Sequence, residues 1–570
     1  MIMKAKSIKS IAAMAVAVVM TTTSCDLLKD VEYEVKPSPL EMHGDEVKVT
    51  VEVTVPEKGI KKNVYAEIQP KLGEHALKPV TIVGEKATAN GITIPHKAGG
   101  KFTYEDVIPY SPDMEVSDLT VTGTIYKKGK EKGEVETMKI ADATIVTPLL
   151  VNKDFRVIYG ADQFQRVTQE TQVGEISYLK GSPVVRPNQL TRTEIKELEQ
   201  FLVNAQQNPR IEIKGINVEA YASIEGEEGK NNELSTSRSE SAKQAVMRIA
   251  GKRNVANEFA QEGGSYNTVG KGEDYKGFKE ALVESNMDQG DKDRILRILE
   301  MYSASDQREQ AIRDLSTYLY LDKNIFPGQR RAEIVVNYDL TGYTDEELVS
   351  LSKSNIDTLK LEEILFTATL TDDLNEKMRL YKEASRLFPN DYRPANNVGV
   401  IHYLQNNLDE AKAQFEKANG ITENNVSKNN LAAIAGVNGE REAAKELLDA
   451  AAGAGDEVAY NKGILNIQDG EYEDAISNFG SEDTFNKALA LLLNKNASQA
   501  KTTIDNSEDA ESAQGYYLKS IIAAHNDNLT EIVSNLKNAF AKDALLKSKA
   551  AKDREFIKYL ENAAFTAIVK

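Results

Sequence analysis

The amino-acid sequence predicts a multidomain protein with three folds in order along the chain: a β-sandwich-like domain, an α+β domain and an all-α repeat solenoid. Three observations predict these folds. Apolar and polar residues alternate before residue 150, helical and strand periods alternate from residue 151, and small and aromatic residues recur at a fixed period after residue 342. A length of 570 residues suits about four domains.

The amino terminus has the pattern of an export signal. Lysines precede an apolar run over residues 11–20, which at about 10 residues is too short to span a bilayer as a helix. Small residues then lead to Cys25, the only cysteine. This order resembles a bacterial lipoprotein signal, which implies that residues 1–24 are removed and that Cys25 is lipidated. An ordinary cleaved signal with a stray thiol is the alternative interpretation.

Charge excludes some classes of partner. The net charge is -18 and the pI is near 5.1. Neutralising phosphates requires a face rich in lysine and arginine, so we expect neither nucleic acid nor an anionic membrane surface as a partner. We expect membrane contact through the lipid at Cys25 alone.

Residues 25–150 have the pattern of an antiparallel β-domain. Valines at odd positions from Val47 to Val55 alternate with polar residues, and residues 119–125 repeat this period of two. Such alternation gives a sheet one buried and one solvated face. Turn signals at 57–59, 98–100 and 127–129 separate the runs. We expect an interaction or spacer role for this β-sandwich-like domain.

Residues 151–341 predict alternating helices and strands. Thr191 and Glu194 form the pattern of a capping box, and Asn208-Pro209 ends the helix that follows it. Strands are predicted over residues 211–218 and 332–336, with a second amphipathic helix starting near Asn232. This spacing is compatible with a β-α-β-α-β order, which the resemblance described next implies.

A motif in this region resembles the OmpA-like, peptidoglycan-associated domains. It comprises the run Tyr221-Ala222-Ser223-Ile224-Glu225-Gly226, then Asn231, Leu234-Ser235, Arg238 and residues 330–334. The resemblance implies that a helix arginine and a loop aspartate hold the diaminopimelate of a cell-wall stem peptide. Arg238 matches the arginine, whereas Ser223 stands where the family has aspartate. The implied peptidoglycan site is Arg238, Ser223 and Asn231, and residues 272–327 form an insertion similar to that of Bacteroides-type members.

Two interpretations of these residues stay open at this point. The start of a helix presents backbone N–H groups that suit a carboxylate, and Arg238 would reinforce that positive end. Alternatively, Arg238 pairs with Glu233 or Glu225 on the surface, and Asn231 and Ser235 cap the helix.

Residues 342–570 predict a linker and a helical repeat array. Small and aromatic residues recur there at a period of about 34. They are Tyr381, Ala384, Pro389, Gly399, Ala411, Phe415, Ala418, Ala432, Ala444, Leu448, Gly463, Ala475, Phe479, Ala488, Ala500, Ile504, Leu518, Leu536 and Ala539. The pattern resembles tetratricopeptide repeats, which implies paired antiparallel helices that bind a peptide or protein. Asn397 and Asn430 recur at equivalent positions; they could bind a peptide backbone, but solvation is the interpretation we favour.

No enzyme motif is recognisable. The histidines are scattered without metal-ligand spacing, and the glycine-containing loops lack the lysine of a phosphate-binding loop. We therefore expect no enzymatic activity, no metal and no cofactor. The sequence predicts an outer-membrane lipoprotein, on the periplasmic face, that links or scaffolds envelope components, with an assembly or secretion complex as one setting. The alternative is a surface-exposed binding lipoprotein whose OmpA-like fold no longer binds the cell wall.

Overall fold

A computed structural model describes residues 30–253, 255 and 266–570, and the backbone of a strand at residues 16–19. The described chain divides into two compact units. The first contains the chain up to residue 161 together with residues 373–570, and the second contains residues 162–372. Cys25 lies outside the described residues, so its predicted lipidation stays a prediction. Within the described residues, the helices are too short or too polar to cross a membrane.

The amino-terminal part of the first unit consists of two β-sheets. Its strands are β1 (Val16–Val19), β2 (Glu32–Val35), β3 (Met42–His43), β4 (Glu46–Val55), β5 (Val64–Leu72), β6 (His75–Ala76), β7 (Val80–Gly84), β8 (Ile92–Ile94), β9 (Gly100–Pro109), β10 (Ser117–Lys127) and β11 (Lys130–Ala143). One sheet has the order β1-β2-β4-β3, with β9 also paired to β4; the other has the order β11-β10-β5-β7-β8, with β6 paired to β5. Their ladders are antiparallel except for β7 with β8.

The predicted alternation in this region is confirmed. Val47 and the other odd-numbered valines up to Val55 are buried, and so are Leu119 and Val121. Residues from both sheets form one apolar core. The period-two pattern therefore marks the inner faces of two sheets that share a core.

The second unit has a four-stranded mixed sheet with helices. Its elements are β12 (Val167–Ser177), α1 (Thr193–Gln207), β13 (Ile211–Ala222), α2 (Glu228–Lys252), β14 (Tyr266–Glu273), α3 (Tyr275–Glu284), α4 (Gln289–Met301), α5 (Ser305–Arg313), α6 (Tyr318–Asn324), α7 (Phe326–Gln329), β15 (Arg331–Thr341), α8 (Asp345–Ser354) and α9 (Leu361–Thr369). The strand order is β12-β15-β13-β14, in which only β13 and β14 run parallel. Helices α1 and α2 contribute to the core of this sheet.

Two predicted helix starts in this unit are wrong. Thr191 does not cap α1; it lies in a short 3-10 turn, donates to the carbonyl of Asn188 at 2.9 Å, and leaves Arg192 as the residue before the helix. Helix α2 begins at Glu228 rather than near Asn232. The sequence pattern located the first apolar residue of the helix, and the polar first turn before it has no periodicity to detect.

The remainder of the first unit is all-helical. Its helices are α10 (Leu374–Leu387), α11 (Tyr392–Leu404), α12 (Leu408–Ile421), α13 (Asn425–Asn438), α14 (Arg441–Ala450), α15 (Asp456–Asp469), α16 (Tyr472–Phe479), α17 (Phe485–Leu493), α18 (Ala497–Asn506), α19 (Ala513–His525), α20 (Leu529–Lys542), α21 (Leu545–Ala550) and α22 (Ala563–Val569). Successive helices pack as pairs, with α11 against α12, α13 against α14, α15 against α16 and α17 against α18.

Small residues let the helices of a pair approach closely, as the repeat pattern predicted. A Cβ atom on Gly399 would lie 2.6 Å from the Phe415 ring, and one on Gly463 would lie 2.7 Å from the Phe479 ring. Both phenylalanines are buried. The chain therefore contains an array of closely packed helix pairs, named here the repeat array.

Candidate functional site

An extended segment of the chain's own backbone lies on the first helices of the repeat pairs. This linker segment, residues 151–161, has no helix or strand of its own. One asparagine on each of α11, α13, α15 and α17 both accepts from the N–H and donates to the carbonyl of a single linker residue. These four form the asparagine ladder: Asn397 with Gly160 (2.6 and 3.0 Å), Asn430 with Ile158 (2.7 and 2.8 Å), Asn461 with Arg156 (2.7 and 2.8 Å), and Asn486 with Asn152 (2.8 and 2.9 Å).

The ladder is buried and is linked from repeat to repeat. Its four asparagines are at most 1% exposed. Asn396 donates to the carbonyl of Ile158 at 3.0 Å and accepts from Asn430 at 3.0 Å, and Asn429 repeats this arrangement between Arg156 and Asn461. A side-chain amide carries both a donor and an acceptor, so it can satisfy both polar groups of one backbone residue. The array therefore holds the backbone of the chain's own linker segment.

Side chains of the linker segment also contact the repeat array. Phe155 is buried against α13, where a Cβ on Gly436 would overlap the phenylalanine ring. The Tyr403 hydroxyl donates to the carbonyl of Phe155 at 2.8 Å. Gly436 is thus the residue that opens space for an aromatic ring.

Arg156 makes a second specific contact. Its guanidinium lies 3.5 Å from the centre of the Tyr460 ring and donates to both carboxylate oxygens of Glu482 at 2.7 Å. The hydrogen bond to Arg156 lowers the pKa of Glu482. The Tyr460 hydroxyl also donates to Asp154 at 2.7 Å. A planar cation suits this site because it stacks on the ring and pairs with the carboxylate at the same time.

The solvation interpretation of Asn397 and Asn430 is therefore wrong. Both are buried and hold backbone, and the sequence analysis missed Asn461, Asn486 and the linker segment itself. The signal was present in the recurrence of one asparagine per repeat. The linker segment, which was predicted to begin the α+β domain, packs instead in the first unit.

A buried titratable cluster lies beside the start of the linker segment. His525 pairs with Glu555 at 2.8 Å, and Thr147 donates to the same carboxylate. Burial lowers the pKa of His525, but the hydrogen bond and the charge of Glu555 together raise it by more. The net pKa of His525 is therefore above its ordinary value. Tyr517 donates to Asp553 at 2.7 Å, and burial raises the pKa of Asp553 to about 6.

In the second unit, the three predicted peptidoglycan-binding residues line one cavity. The loop cavity, of about 450 Å³, is bordered by the loop after β13, the first turns of α2 and Lys180. Ser223, Asn231 and Arg238 all contribute to its wall. The sequence motif therefore brings these residues together in space, and their role in binding stays a prediction.

Arg238 is buried rather than paired on the surface. It is 1% exposed, and three of its five N–H groups donate to the carbonyls of Leu179 at 3.1 Å, Ser182 at 3.2 Å and Tyr221 at 2.9 Å. Burial lowers the pKa of Arg238 to about 10, so the guanidinium stays charged at neutral pH. The alternative of a surface ion pair with Glu233 or Glu225 is wrong.

Glu225 is the carboxylate of this cavity, a role the sequence analysis did not give it. Its Oε1 atom accepts from the Ser223 hydroxyl at 3.0 Å and from Arg330, whereas its Oε2 atom accepts from the Lys180 ammonium at 2.5 Å. The Glu225 side chain is 3% exposed. Burial raises the pKa of Glu225, but the hydrogen bond from Lys180 and the charges of Arg330 and Lys180 outweigh burial, and the net pKa is below its ordinary value.

Asn231 organises the loop and does not cap the helix. It lies inside the first turn of α2 and donates to the carbonyls of Ser223 at 3.3 Å and Glu225 at 3.0 Å, and to Glu273 at 2.8 Å. Ser235 also lies within the helix and accepts from the backbone N–H of Gly272 at 2.9 Å. The capping interpretation of both residues is wrong.

The inserted helices α3–α7 hold the same loop. Ile224 is buried in the apolar core that these helices form. The backbone N–H of Gly226 donates to Glu309 of α5 at 2.5 Å. The insertion therefore fixes the loop conformation and supplies a carboxylate to one of its N–H groups. Among the residues that the structure describes, no cluster of His, Cys, Asp and Glu could hold a metal ion.

Comparison with known proteins finds similar solved structures at low sequence identity. No family model matches the chain, and no curated protein matches it. Similar solved structures include YrrB, a TPR protein with an unusual peptide-binding site, at 17% identity over 35% of this chain and 94% of YrrB, with a TM-score of 0.21. A tetratricopeptide repeat protein from Parabacteroides merdae shares 14% identity over 39% of this chain and 90% of its own length, with a TM-score of 0.28. Yeast Tom70 shares 13% identity over 58% of this chain and 78% of its own length, with a TM-score of 0.24.

Proposed function

We propose that this protein is a non-enzymatic scaffold of the bacterial envelope whose repeat array binds an extended peptide segment. The asparagine ladder supports this function, because it pairs with backbone groups that every peptide carries. The linker segment occupies the ladder and joins the amino-terminal sheets to the array within one unit. In this arrangement the array works first as an internal clamp, and a partner protein binds its remaining surface or displaces the linker.

The clamp can be tested by opening the ladder in the full-length protein. A Cβ on Gly160 would lie 2.8 Å from the Arg393 side chain, so Gly160→Val should displace the linker segment. A labelled peptide of residues 150–162 should then bind in trans, as measured by fluorescence anisotropy. Adding Asn430→Ala should weaken that binding by about 30-fold or more, since the substitution costs about 2–4 kcal/mol. Gly420→Val, at a helix position with open space around it, should leave the ladder closed. Failure of Gly160→Val to bind the peptide, despite exchange of the linker amides with solvent, would contradict the proposal.

The proposed location is the periplasmic face of the outer membrane, with a lipid on Cys25 as the attachment. The resemblance of residues 1–25 to a lipoprotein signal supports it. Cys25→Ala should move the protein from the membrane fraction to the soluble fraction, because acyl chains supply the membrane affinity. Retention in the membrane after a high-salt wash would refute lipid attachment. Protease treatment of intact cells separates this location from the alternative of a surface-exposed lipoprotein.

A second function is proposed for the α+β unit: binding of a cell-wall stem peptide in the loop cavity. The convergence of Arg238, Ser223 and Asn231 on that cavity favours it. Full-length protein should sediment with purified peptidoglycan, and Arg238→Ala should weaken this about ten- to a hundredfold, the value of a charge-assisted contact. Arg248→Ala, on the exposed side of the same helix, is the matched control. Because Arg238 also holds three carbonyls, circular dichroism must show that the variant stays folded. A folded variant that sediments like the wild type would contradict this function.

A further inference from the structure

The asparagine ladder does not by itself fix which linker residue each asparagine holds. Three successive asparagines bind the backbone of Arg156, Ile158 and Gly160, which are alternate residues of an extended segment. Every residue other than proline carries the same backbone donor and acceptor, so a segment shifted by two residues would present the same groups to the same asparagines. The register of the linker segment is therefore set by its side chains.

Only one of the four ladder helices has room for an aromatic ring at this face. Gly436 lies six residues after Asn430 on α13, and a Cβ atom there would overlap the buried Phe155 ring. The corresponding positions of the other ladder helices carry large side chains, namely Tyr403, Ile467 and Leu492. A shift of two residues would bring Lys153 or Val157 to Gly436 in place of the ring. The space above Gly436 thus fits Phe155 in one register.

The neighbouring repeat has a site for a guanidinium group. Arg156 stacks on the Tyr460 ring and donates to both carboxylate oxygens of Glu482. Among the ladder helices, α15 alone has a tyrosine directly before its ladder asparagine. A shift of two residues would place Asp154 or Ile158 at this site, and neither can pair with a carboxylate as arginine does.

A third position requires glycine. Gly160 is buried, and a Cβ atom on it would lie 2.8 Å from the Arg393 side chain. The linker segment therefore meets three side-chain requirements at fixed spacing: phenylalanine, arginine directly after it, and glycine four residues after the arginine. Phe155 is the only phenylalanine of the whole chain that arginine follows.

We propose that the repeat array selects its ligand by this pattern, so that a partner which displaces the linker presents an extended Phe-Arg-x-x-x-Gly segment. This inference rests on the proposed peptide-binding function of the array and names the class of partner. The ladder supplies affinity for any extended backbone, whereas Gly436, Tyr460 and Glu482 determine specificity.

The test measures peptide binding to the full-length Gly160→Val protein, which is designed to displace the linker segment. The probe is the labelled peptide of residues 150–162, named here the linker peptide, and fluorescence anisotropy gives its affinity. Phe155→Ala in the peptide should weaken binding by about a hundredfold, because a large buried side chain is lost. Arg156→Met should weaken it by about tenfold, since the ion pair is partly exposed. Lys153→Ala is the matched control, because Lys153 is exposed, and it should bind like the linker peptide.

Two substitutions in the array assign each loss to its site. Glu482→Gln, at a position that is 53% exposed and so tolerant of substitution, should weaken binding of the linker peptide but not of the Arg156→Met peptide. Gly436→Ala should weaken binding of the linker peptide but not of the Phe155→Ala peptide, which leaves space for the added methyl group.

The outcomes separate the inference from the function on which it rests. If the linker peptide binds but the Phe155→Ala and Arg156→Met peptides bind equally well, the array binds peptides and its selectivity is refuted. An equal loss for Lys153→Ala, or an equal effect of Glu482→Gln on the linker peptide and the Arg156→Met peptide, also refutes selectivity. If the linker peptide does not bind although the linker amides of the Gly160→Val protein exchange with solvent, both selectivity and the peptide-binding function are refuted.

Discussion

Asn430→Ala is the substitution that best measures the asparagine ladder. The side chain is fully buried; its oxygen accepts from the Ile158 N–H at 2.7 Å, and its amide donates to the Ile158 carbonyl at 2.8 Å and to Asn396 at 3.0 Å. The Ile158 carbonyl keeps a second donor in Asn396, so the main loss is a buried N–H without an acceptor. An orphaned buried donor costs about 1–3 kcal/mol, and the lost side-chain volume adds to this, giving about 2–4 kcal/mol in all.

Hydrogen exchange of the Ile158 amide is the assay that reports this loss locally. Because 1.4 kcal/mol corresponds to a tenfold change, a loss of 2 kcal/mol should speed exchange by about 30-fold. Asn438→Ala is the matched control, since Asn438 lies on the same helix but is exposed, and such surface changes stay within about 0.5 kcal/mol. If the Ile158 amide exchanges at the same rate in Asn430→Ala and Asn438→Ala, the ladder does not hold the linker segment and the clamp is refuted.

Two more predictions concern the same unit. Gly436→Ala should destabilise the protein by about 1–3 kcal/mol, because the added methyl group overlaps the Phe155 ring. Gly420→Ala is the control, and it should be neutral or stabilising because the space around it is open. Equal urea midpoints for the two variants would contradict this prediction. Asp553→Asn tests the raised pKa: the native carboxyl has a pKa of about 6 against an ordinary 3.8, so ionisation costs the native state up to about 3 kcal/mol above pH 6 and nothing below pH 4. The free energy of unfolding of Asp553→Asn minus that of the wild type should therefore rise from pH 4 to pH 7, with the Tyr517 hydroxyl accepting from the new amide. A difference that does not change with pH would refute the buried charge.

Local and periodic features of the fold were predictable from the sequence. Alternation such as that of Val47 to Val55 indicates one buried sheet face, and the spacing of Gly399 and Phe415 indicates a close helix pair. Both depend on residues that are near each other along the chain. The first turn of α2, by contrast, contains charged residues without a period, and its start at Glu228 was missed.

The site residues were predicted only where a motif named them. The motif brought Ser223 and Arg238 to one cavity, but it could not show that Glu225 lies between Arg330 and Lys180, because those partners come from distant parts of the sequence. An aspartate at position 223 would stand beside the Glu225 carboxylate, which accepts from the Ser223 hydroxyl at 3.0 Å. Like charges at that distance repel, so the Glu225 carboxylate opposes the aspartate that the family has at this position.

The linker segment was invisible to sequence reasoning for a physical reason. It has no periodicity, and its partners lie more than 200 residues downstream, as in the pair of Gly160 with Asn397. An isolated asparagine on a helix is usually solvated, so recurrence alone did not decide between water and a peptide backbone. Only the folded chain shows that a peptide backbone, and not water, forms the hydrogen bonds of the asparagine side chains.

The pairing of the linker with the ladder also sets the mechanical character of the array. In a helical solenoid each repeat contacts only its neighbours, so the spacing between repeats is the distance that deforms most easily. Alternate residues of an extended chain are about 7 Å apart, and Arg156, Ile158 and Gly160 impose this distance on three successive asparagines. The array cannot lengthen along this face without releasing an amide pair. The linker segment therefore makes the array stiff along this face. Tension applied to the chain at residue 161 is shared by several hydrogen-bonded pairs.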